Sequence, residues 1–371
     1  GYNTPRSAGT TGRDGAPLCP HPPRRQPTNP RPMSFPAIRH RPTLAALTGM
    51  LCLAAWPTVA AVPTGEAELP SHVDEASGLT YSSRHGDLLW THNDNINDPG
   101  SMRRVTPFLY GIGPDGAARV RAEVAGVTQR DWEAVESTRL DDEDVLVVAD
   151  SGDNRDSWPD YVLWFLAEPN PRDVAARVRI APDAVLRYRY PDGPADTEAM
   201  AVDTVGRQIL LLTKRQDPPR LFTLPLSTRQ SFDATRGDSD RERLQAAPVH
   251  PAQPIGTMGG LVPTDPINWL LSPLTGDQTS LPTDMSLSAD GHLLAVLTYA
   301  SLYFFRREAG QTWAEAIRRP VASRSLPRID QWEGLALSPD GHHVSIVREG
   351  SGPGTIRHLE IPEAARRGRS D

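Results

Sequence analysis

Five segments of the chain repeat one pattern, in which an acidic residue stands at the head of a short, mostly apolar run. The clearest copies are DWEAVEST at 131–138, DTEAMAVD at 196–203 and QWEGLALS at 331–338. The five acids are Glu75, Glu133, Glu198, Asp284 and Glu333, separated by 58, 65, 86 and 49 residues. A feature that recurs at roughly 40–60 residues indicates a chain built from repeated structural units.

Each unit contains about four short β-type runs separated by turn residues, and no sustained helical spacing interrupts them. Units of this length and content are typical of a β-propeller, so we predict an all-β propeller with four-stranded blades. Five acids predict five blades, while the long interval between 198 and 284 leaves room for a sixth. PTGEAELPSHV at 63–73 is predicted to supply the outer strand that closes the ring. A sandwich or barrel is the alternative, but it gives no reason for the acid to recur.

The segment 33–61, MSFPAIRHRPTLAALTGMLCLAAWPTVAA, has a basic start, a short apolar run and small residues at its end. These features predict a secretory signal peptide. A membrane anchor is disfavoured because the apolar run falls short of the ~20 residues that span a bilayer. Residues 1–32 are predicted to be a disordered upstream extension, and 62–371 a single propeller domain. The predicted location is periplasmic or extracellular.

The composition of residues 62–371, which remain after the predicted cleavage, excludes several kinds of catalysis and partner. Both cysteines, Cys19 and Cys52, fall within the leader, which excludes thiol catalysis and cysteine-bound zinc in the remainder. The remaining 32 basic and 45 acidic residues give a net charge of −13, so neither nucleic acid nor an anionic membrane is an expected partner. Lys214 is the single lysine of the chain, a bias that we attribute to a GC-rich genome.

In a propeller, the repeated acids would lie close together and could bind a cation. Innermost strands line the central channel, so acids at their starts gather at one mouth. Carboxylates brought together there either raise one another's pKa or recruit a cation. Ligands that are oxygen only favour calcium or magnesium, and calcium is the predicted ion. The alternative is a structural role, in which each carboxylate caps a turn or accepts backbone N–H groups from the neighbouring blade.

Further polar residues follow the second strands of the first two units. Asp94 lies in THNDNINDPG at 91–100, and Asp150 and Asp153 lie in DSGDNRDSWPD at 150–160. Asp150 and Asp153 are predicted as additional metal ligands, with a solvated turn as the alternative. His92 and Asp94 are the candidate general bases.

Several of these segments together resemble a family of secreted bacterial β-propellers described as phytase-like or esterase-like. They are EASGLTYSSRHGDLLWTHND, DWEAVE followed by ADSGDNR, YPDGPADTEAMAVD and QWEGLALSPDG, which cover most of 70–350. The resemblance implies calcium binding. It does not extend to phytate, because β-propeller phytases hold phosphates with basic residues and no basic cluster lies among these acids. TDMSLSADG at 283–291 is similar to a segment that starts a blade in gluconolactonase and regucalcin propellers. This resemblance implies that Glu75 corresponds to the first metal-binding acid of those propellers.

Two functions follow as hypotheses. The first is a metal-dependent hydrolase of a phosphoester, ester or lactone, in which the metal activates a bound water. The second is a non-catalytic scaffold or binding propeller whose acids hold a structural calcium or fix blade geometry. Propellers host both kinds of function, so the fold does not decide. The expected partner is a small-molecule or protein ligand at the channel mouth, and we expect a monomer.

Overall fold

Short apolar runs separated by turn residues give the chain twenty-three strands within the part that the structure describes. The computed structural model describes residues 65–94, 106–170, 176–237, 239–262, 278–327, 331–349 and 354–367. All of these belong to one compact unit, 57–371. The predicted upstream extension and signal peptide lie outside the described residues.

The first two blades carry extra strands at their outer edges. Blade 1 contains β2 (Ala76–Tyr81), β3 (Leu89–Asn93), β4 (Phe108–Ile112) and β5 (Ala118–Val124), with β9 (Arg177–Ile180) parallel to β5. Blade 2 contains β6 (Trp132–Leu140), β7 (Glu143–Asp150), β8 (Tyr161–Ala167) and β10 (Pro182–Arg189). β14 (Gln230–Ser231) and β15 (Val249–Pro251) both pair with β10.

The other three blades have four strands each, as the sequence predicts. Blade 3 contains β11 (Thr197–Asp203), β12 (Gln208–Thr213), β13 (Arg220–Pro225) and β16 (Gln253–Thr257). Blade 4 contains β17 (Pro282–Leu287), β18 (Leu293–Thr298), β19 (Ser301–Arg306) and β20 (Ala322–Ser325). Blade 5 contains β21 (Gln331–Leu337), β22 (His343–Glu349), β23 (Thr355–Glu360) and β1 (Gly65–Glu68). The pairing of β1 with β23 confirms the predicted closure by an N-terminal strand.

Contacts between inner strands close a ring of five blades, in the order β2, β6, β11, β17, β21 and back to β2. The all-β propeller is therefore confirmed, with five blades rather than six. Five apolar layers fill the spaces between adjacent blades and form the core. Trp132 lies in the layer between blades 1 and 2, and Trp332 in the layer between blades 4 and 5.

The extra strands explain two irregular stretches of sequence. RVRIAPDAVLRYRY at 177–190 reads as one strand but divides between two blades, with β9 in blade 1 and β10 in blade 2. The polar stretch 228–250 holds β14, β15 and the helix α1 (Asp240–Gln245), so the fourth strand of blade 3 comes only afterwards. Two further short helices, α2 (Trp313–Ala316) and α3 (Glu363–Arg366), follow β19 and β23.

Candidate metal centre

A β-bulge interrupts the pairing of every inner strand near its first residue. The residues left without a partner are Gly78, Glu133, Glu198, Thr283 and Glu333, one in each blade. Three of the five predicted acids therefore share one structural position. Glu75 lies three residues before that position and Asp284 one residue after it. The sequence pattern aligned these two acids with a position that they do not occupy, because it contains no sign of the bulge.

Two groups of carboxylates assemble around Glu133. Asp94, Asp131 and Glu133 form the first group, and Glu133, Asp196 and Glu198 form the second. Within each group, one oxygen from every residue lies within 4.8 Å of the others. Two oxygens bound to one calcium ion at about 2.4 Å lie at most about 4.8 Å apart, so either group could hold a metal ion.

Asp131 and Asp196 are the members that the sequence analysis missed. Each directly precedes an inner strand and stands two residues before a bulge glutamate, in the pairs Asp131–Glu133 and Asp196–Glu198. This D-x-E spacing at the head of a repeated segment is visible in the sequence and distinguishes blades 2 and 3 from the other blades. Blade 5 has Gln331 at the corresponding position.

Gly152 allows the carboxylates of the first group to approach each other. A Cβ atom at this residue would lie 2.3 Å from Glu133 Oε1 and 2.5 Å from Asp131 Oδ2. The backbone N–H of Gly152 donates to the carbonyl oxygen of Asp131 at 3.1 Å, which holds the loop against the site. Any side chain at Gly152 would therefore clash with two of the three carboxylates, at least one of which would have to move.

Three oxygens of the two groups are buried without a hydrogen-bond partner among the described residues. They are Asp94 Oδ1, Asp131 Oδ1 and Glu198 Oε2. Asp131 is 7% exposed and Glu198 is 4% exposed. Buried polar atoms are nearly always paired in native proteins, so each such oxygen requires an explanation, and a bound ion is one of the usual ones.

Burial raises the pKa of each carboxyl group in the first group. Burial and the charge of Asp94 raise the pKa of Asp131 to about 8. The pKa of Asp94 itself rises to about 6. Burial and the charge of Glu198 hold the pKa of Glu133 well above its usual range. Without a cation the centre therefore retains protons at neutral pH, and a bound cation would take their place.

Lys214 supplies the one ammonium group at the centre. Its Nζ donates to Glu198 Oε1 and, at 2.9 Å, to the hydroxyl of Tyr299. Burial, the largest single influence, opposes its charge, but the negative charges around it, led by that of Glu198, together outweigh burial and raise the pKa of Lys214. Burial raises the pKa of Glu333 to about 7, against the opposing influence of Lys214 and Tyr299. The predicted ligand Glu333 therefore lies close to this pair but belongs to neither carboxylate group.

Asp196 differs from the other members because both of its oxygens have partners. Oδ1 accepts from the backbone N–H of Asp153 at 2.8 Å, and Oδ2 accepts from Arg215 Nε at 2.7 Å. Arg215 also donates to Asn154 Oδ1. These contacts attach the loop after β7 to the start of blade 3.

Asp150 and Asp153, both predicted as ligands, organise that loop. Asp150 Oδ1 accepts from the backbone N–H of Asp131 at 2.9 Å, and its Oδ2 lies 3.4 Å from Arg130 Nε. Asp153 Oδ1 accepts from the N–H of Ser157 at 2.8 Å, and its Oδ2 accepts from the N–H of Trp158 and the hydroxyl of Tyr161, both at 2.9 Å. Neither residue belongs to a carboxylate group.

Asp284 bridges three inner strands. Its Oδ2 accepts from the backbone N–H of Leu335 at 2.7 Å and from that of Leu79 at 3.3 Å, while Oδ1 accepts from Met285 N–H at 2.8 Å. This is the structural role that the sequence analysis left open for the repeated acid. Glu75 has an exposed side chain, and its carbonyl oxygen accepts from the N–H of Asp94 at 2.7 Å.

His92, a candidate general base, is fully buried. Its ring packs edge-on against Trp132 with the centroids 6.0 Å apart. Burial lowers the pKa of His92 to about 4, so the imidazole is neutral at neutral pH. Asp94, the other candidate base, lies in the first carboxylate group.

Comparison with known proteins places the chain in no family. No family model matches it, and no curated protein matches it. Among solved structures, it is similar to the β-propeller domain of Cps50 (Swd1) from Myceliophteria thermophila, with 12% identity and a TM-score of 0.35. The match covers 80% of this chain and 69% of that one. These comparisons give no family-level support to the resemblance to phytase-like or gluconolactonase-like propellers.

The described residues contain no helix with the length and apolar character required to cross a membrane.

Proposed function

We propose that the protein binds a divalent cation at Asp94, Asp131 and Glu133, and we propose calcium as that cation. The observation that carries the proposal is a trio of carboxylates, of which Asp131 and Glu133 are buried and Asp94 is half-buried; Asp94 and Asp131 each have an oxygen without a hydrogen-bond partner among the described residues. Carboxylate oxygens with no thiolate and no imidazole in the set favour a hard cation.

Structural carboxylates elsewhere in the same fold provide the contrast. Asp150, Asp153 and Asp284 are each at most 2% exposed, and both oxygens of each have donors. Asp94 and Asp131 are at the same mouth as Asp150 but each keeps an orphan oxygen. An acid that serves only blade geometry would find donors, as those three do. The orphan oxygens therefore support a ligand that is external to the chain.

The proposed ion agrees with the predicted export of the protein. Extracellular calcium-binding modules work with dissociation constants of about 10⁻⁴–10⁻³ M, because calcium is abundant outside the cytosol. We propose that the protein acts in the periplasm or outside the cell. Expression with and without residues 33–61, followed by cell fractionation, tests this location. Equal recovery from the cytosol in both cases would contradict it.

Thermal unfolding of the 371-residue protein tests the cation site. A ligand that binds only the folded state raises the melting temperature with its concentration. We expect calcium to raise the melting temperature of the chelator-treated protein, and Glu133→Gln to abolish the rise. Glu143→Gln is the matched control, because Glu143 is exposed at the far end of the same β6–β7 hairpin. No rise with calcium, magnesium or manganese would refute the proposal.

A metal-dependent hydrolase of a phosphoester, ester or lactone is the second candidate, favoured by Lys214 and Tyr299. The ammonium of Lys214 and the hydroxyl of Tyr299 lie 2.9 Å apart beside the carboxylates, where they would bind a negatively charged substrate oxygen. A bound cation would supply Lewis-acid polarisation of the substrate.

Activity of the calcium-loaded protein on p-nitrophenyl phosphate, p-nitrophenyl acetate and a simple lactone tests this candidate. We expect Lys214→Met to lower kcat/KM at least tenfold while stabilisation by calcium persists. No turnover of any of the three substrates by the wild type would favour the non-catalytic propeller instead.

A further inference from the structure

Glu133 belongs to both carboxylate groups, and this sharing points beyond a site for one ion. We propose that the centre holds two divalent cations bridged by Glu133. The first position is that of Asp94, Asp131 and Glu133, and the second is that of Glu133, Asp196 and Glu198. The inference rests on the proposed function, since the first position is the calcium site proposed above.

The distances in the second group match those in the first. All three residues of each group offer oxygens within 4.8 Å of one another. A carboxylate has two oxygens and can bind one ion with each. Protein sites with two metal ions hold them about 3.5–4 Å apart, which one bridging carboxylate can span.

Glu198 provides an independent observation for the second position. Lys214 donates to its Oε1, whereas its Oε2 is buried with no partner among the described residues. The side chain is only 4% exposed, so bulk water does not replace the missing donor. Each carboxylate group therefore contains at least one orphan oxygen of its own, which a single ion at the first position would not satisfy.

The charge of the centre also matches two ions. The two carboxylate groups and their neighbour Glu333 together contain six carboxylates: Asp94, Asp131, Glu133, Asp196, Glu198 and Glu333. Two basic side chains, Lys214 and Arg215, pair with members of this set. When all are ionised, the carboxylates exceed the basic groups by four formal charges, so one divalent cation would leave half of the excess buried. Uncompensated buried charge is strongly unfavourable, so the remaining half must be neutralised either by protons that the carboxylates retain or by a second ion.

Lys214 makes the affinity for calcium lower at the second position than at the first. Its ammonium contacts Glu198, so the second ion must approach a fixed positive charge, while no such contact exists at the first group among the described residues. Binding is therefore sequential, with the first position filled at lower calcium concentration. Tyr299, 2.9 Å from the ammonium, offers Lys214 an alternative partner once Glu198 turns to the ion.

Equilibrium dialysis of the 371-residue protein against radioactive calcium, together with calorimetric titration, tests the inference. The wild type and the Glu143→Gln control should bind two equivalents in two steps. Glu198→Gln should lose the weaker equivalent, Asp94→Asn should weaken the tighter one, and Glu133→Gln should lose both. Lys214→Met should tighten the weaker step at least tenfold, because it removes the competing ammonium.

The outcomes separate this inference from the proposed function. A single equivalent in the wild type that Glu198→Gln leaves unchanged would overturn the second position while the proposed calcium site stands. No bound calcium in a folded wild type would overturn both. A second step that Lys214→Met leaves unchanged or weakens would overturn the competition by the ammonium. Lys214→Met also serves as the test if Glu198→Gln fails to give a native circular dichroism spectrum.

Discussion

Replacing Gly152 with alanine should abolish binding of calcium to the first carboxylate group while the propeller remains folded. The added Cβ would lie 2.3 Å from Glu133 Oε1 and 2.5 Å from Asp131 Oδ2, whereas ordinary contacts begin near 3.4 Å. Gly152 has no positive φ, so its backbone accommodates alanine. The substitution therefore acts through the carboxylates, at least one of which must move by about 1 Å.

The magnitude follows from two separate effects. Overpacking of this kind lowers the free energy of unfolding by about 1–3 kcal/mol. Calcium at 100 times its dissociation constant adds about 2.7 kcal/mol to the wild type, which corresponds to a melting-temperature rise on the order of 4 °C for a domain of this size. In Gly152→Ala the first effect should appear without calcium, and the second should vanish.

Differential scanning fluorimetry of chelator-treated protein, titrated with calcium, separates these effects. Gly237→Ala is the matched control, because a Cβ at Gly237 would meet no atom within 4 Å. The control should behave as the wild type does at every calcium concentration. A Gly152→Ala protein that keeps the full rise with calcium would refute the placement of the ion between Glu133 and Asp131.

Three further predictions concern pH, architecture and the ammonium. Folded-state pKa values near 8 for Asp131 and 6 for Asp94 exceed those of an unfolded chain, so the metal-free folded state binds more protons. Its free energy of unfolding should therefore decrease as the pH rises from about 4 to about 8, by up to about 1.4 kcal/mol per pH unit for each such group, and saturating calcium should remove this decrease. Urea titrations at a series of pH values measure the free energy of unfolding. A free energy of unfolding that increases with pH over this range would contradict the burial of the centre. Asp284→Ala should cost about 3 kcal/mol or more, because it strands buried backbone N–H groups, yet the calcium-dependent shift in thermal melts should persist. Lys214→Met should destabilise the chelator-treated protein, because Glu198 loses its counter-ion, and excess calcium should restore much of the loss in the same melts.

The propeller architecture could be predicted from the sequence because it depends on short patterns of apolar, turn and acidic residues. Alternating apolar runs, turn residues and a recurring acid gave a propeller, its five inner strands and its closure by the N-terminal strand. The edge strands were less accessible. β9 and β15 pair in parallel with strands of their blades, and such pairing depends on which edge is free rather than on residue alternation.

The residues of the candidate site could be predicted only in part, because a shift of one residue along an inner strand decides whether an acid belongs to the site. A bulge at each inner strand decides that Glu133, Glu198 and Glu333 are equivalent, while Asp284 turns to the backbone of other blades. The alternation of apolar and polar residues in a short run does not reveal these bulges. The D-x-E pairs could have identified Asp131 and Asp196.

Two other residues of the site, Lys214 and Gly152, stand out in the sequence or are common there, but their roles depend on tertiary contacts. Lys214 was visible as the single lysine, but its approach to Glu198 depends on the packing of the finished ring. Gly152 sits in a loop where glycine is common, and only the distances to Glu133 and Asp131 show why it is needed.

The most direct test of the central claim is a crystal structure of the protein grown with calcium, with anomalous diffraction measured at long wavelength. The account predicts an anomalous peak about 2.3–2.6 Å from carboxylate oxygens of Asp131 and Glu133, with Asp94 completing the contact. A well-ordered channel mouth with no peak at these residues in saturating calcium would contradict it.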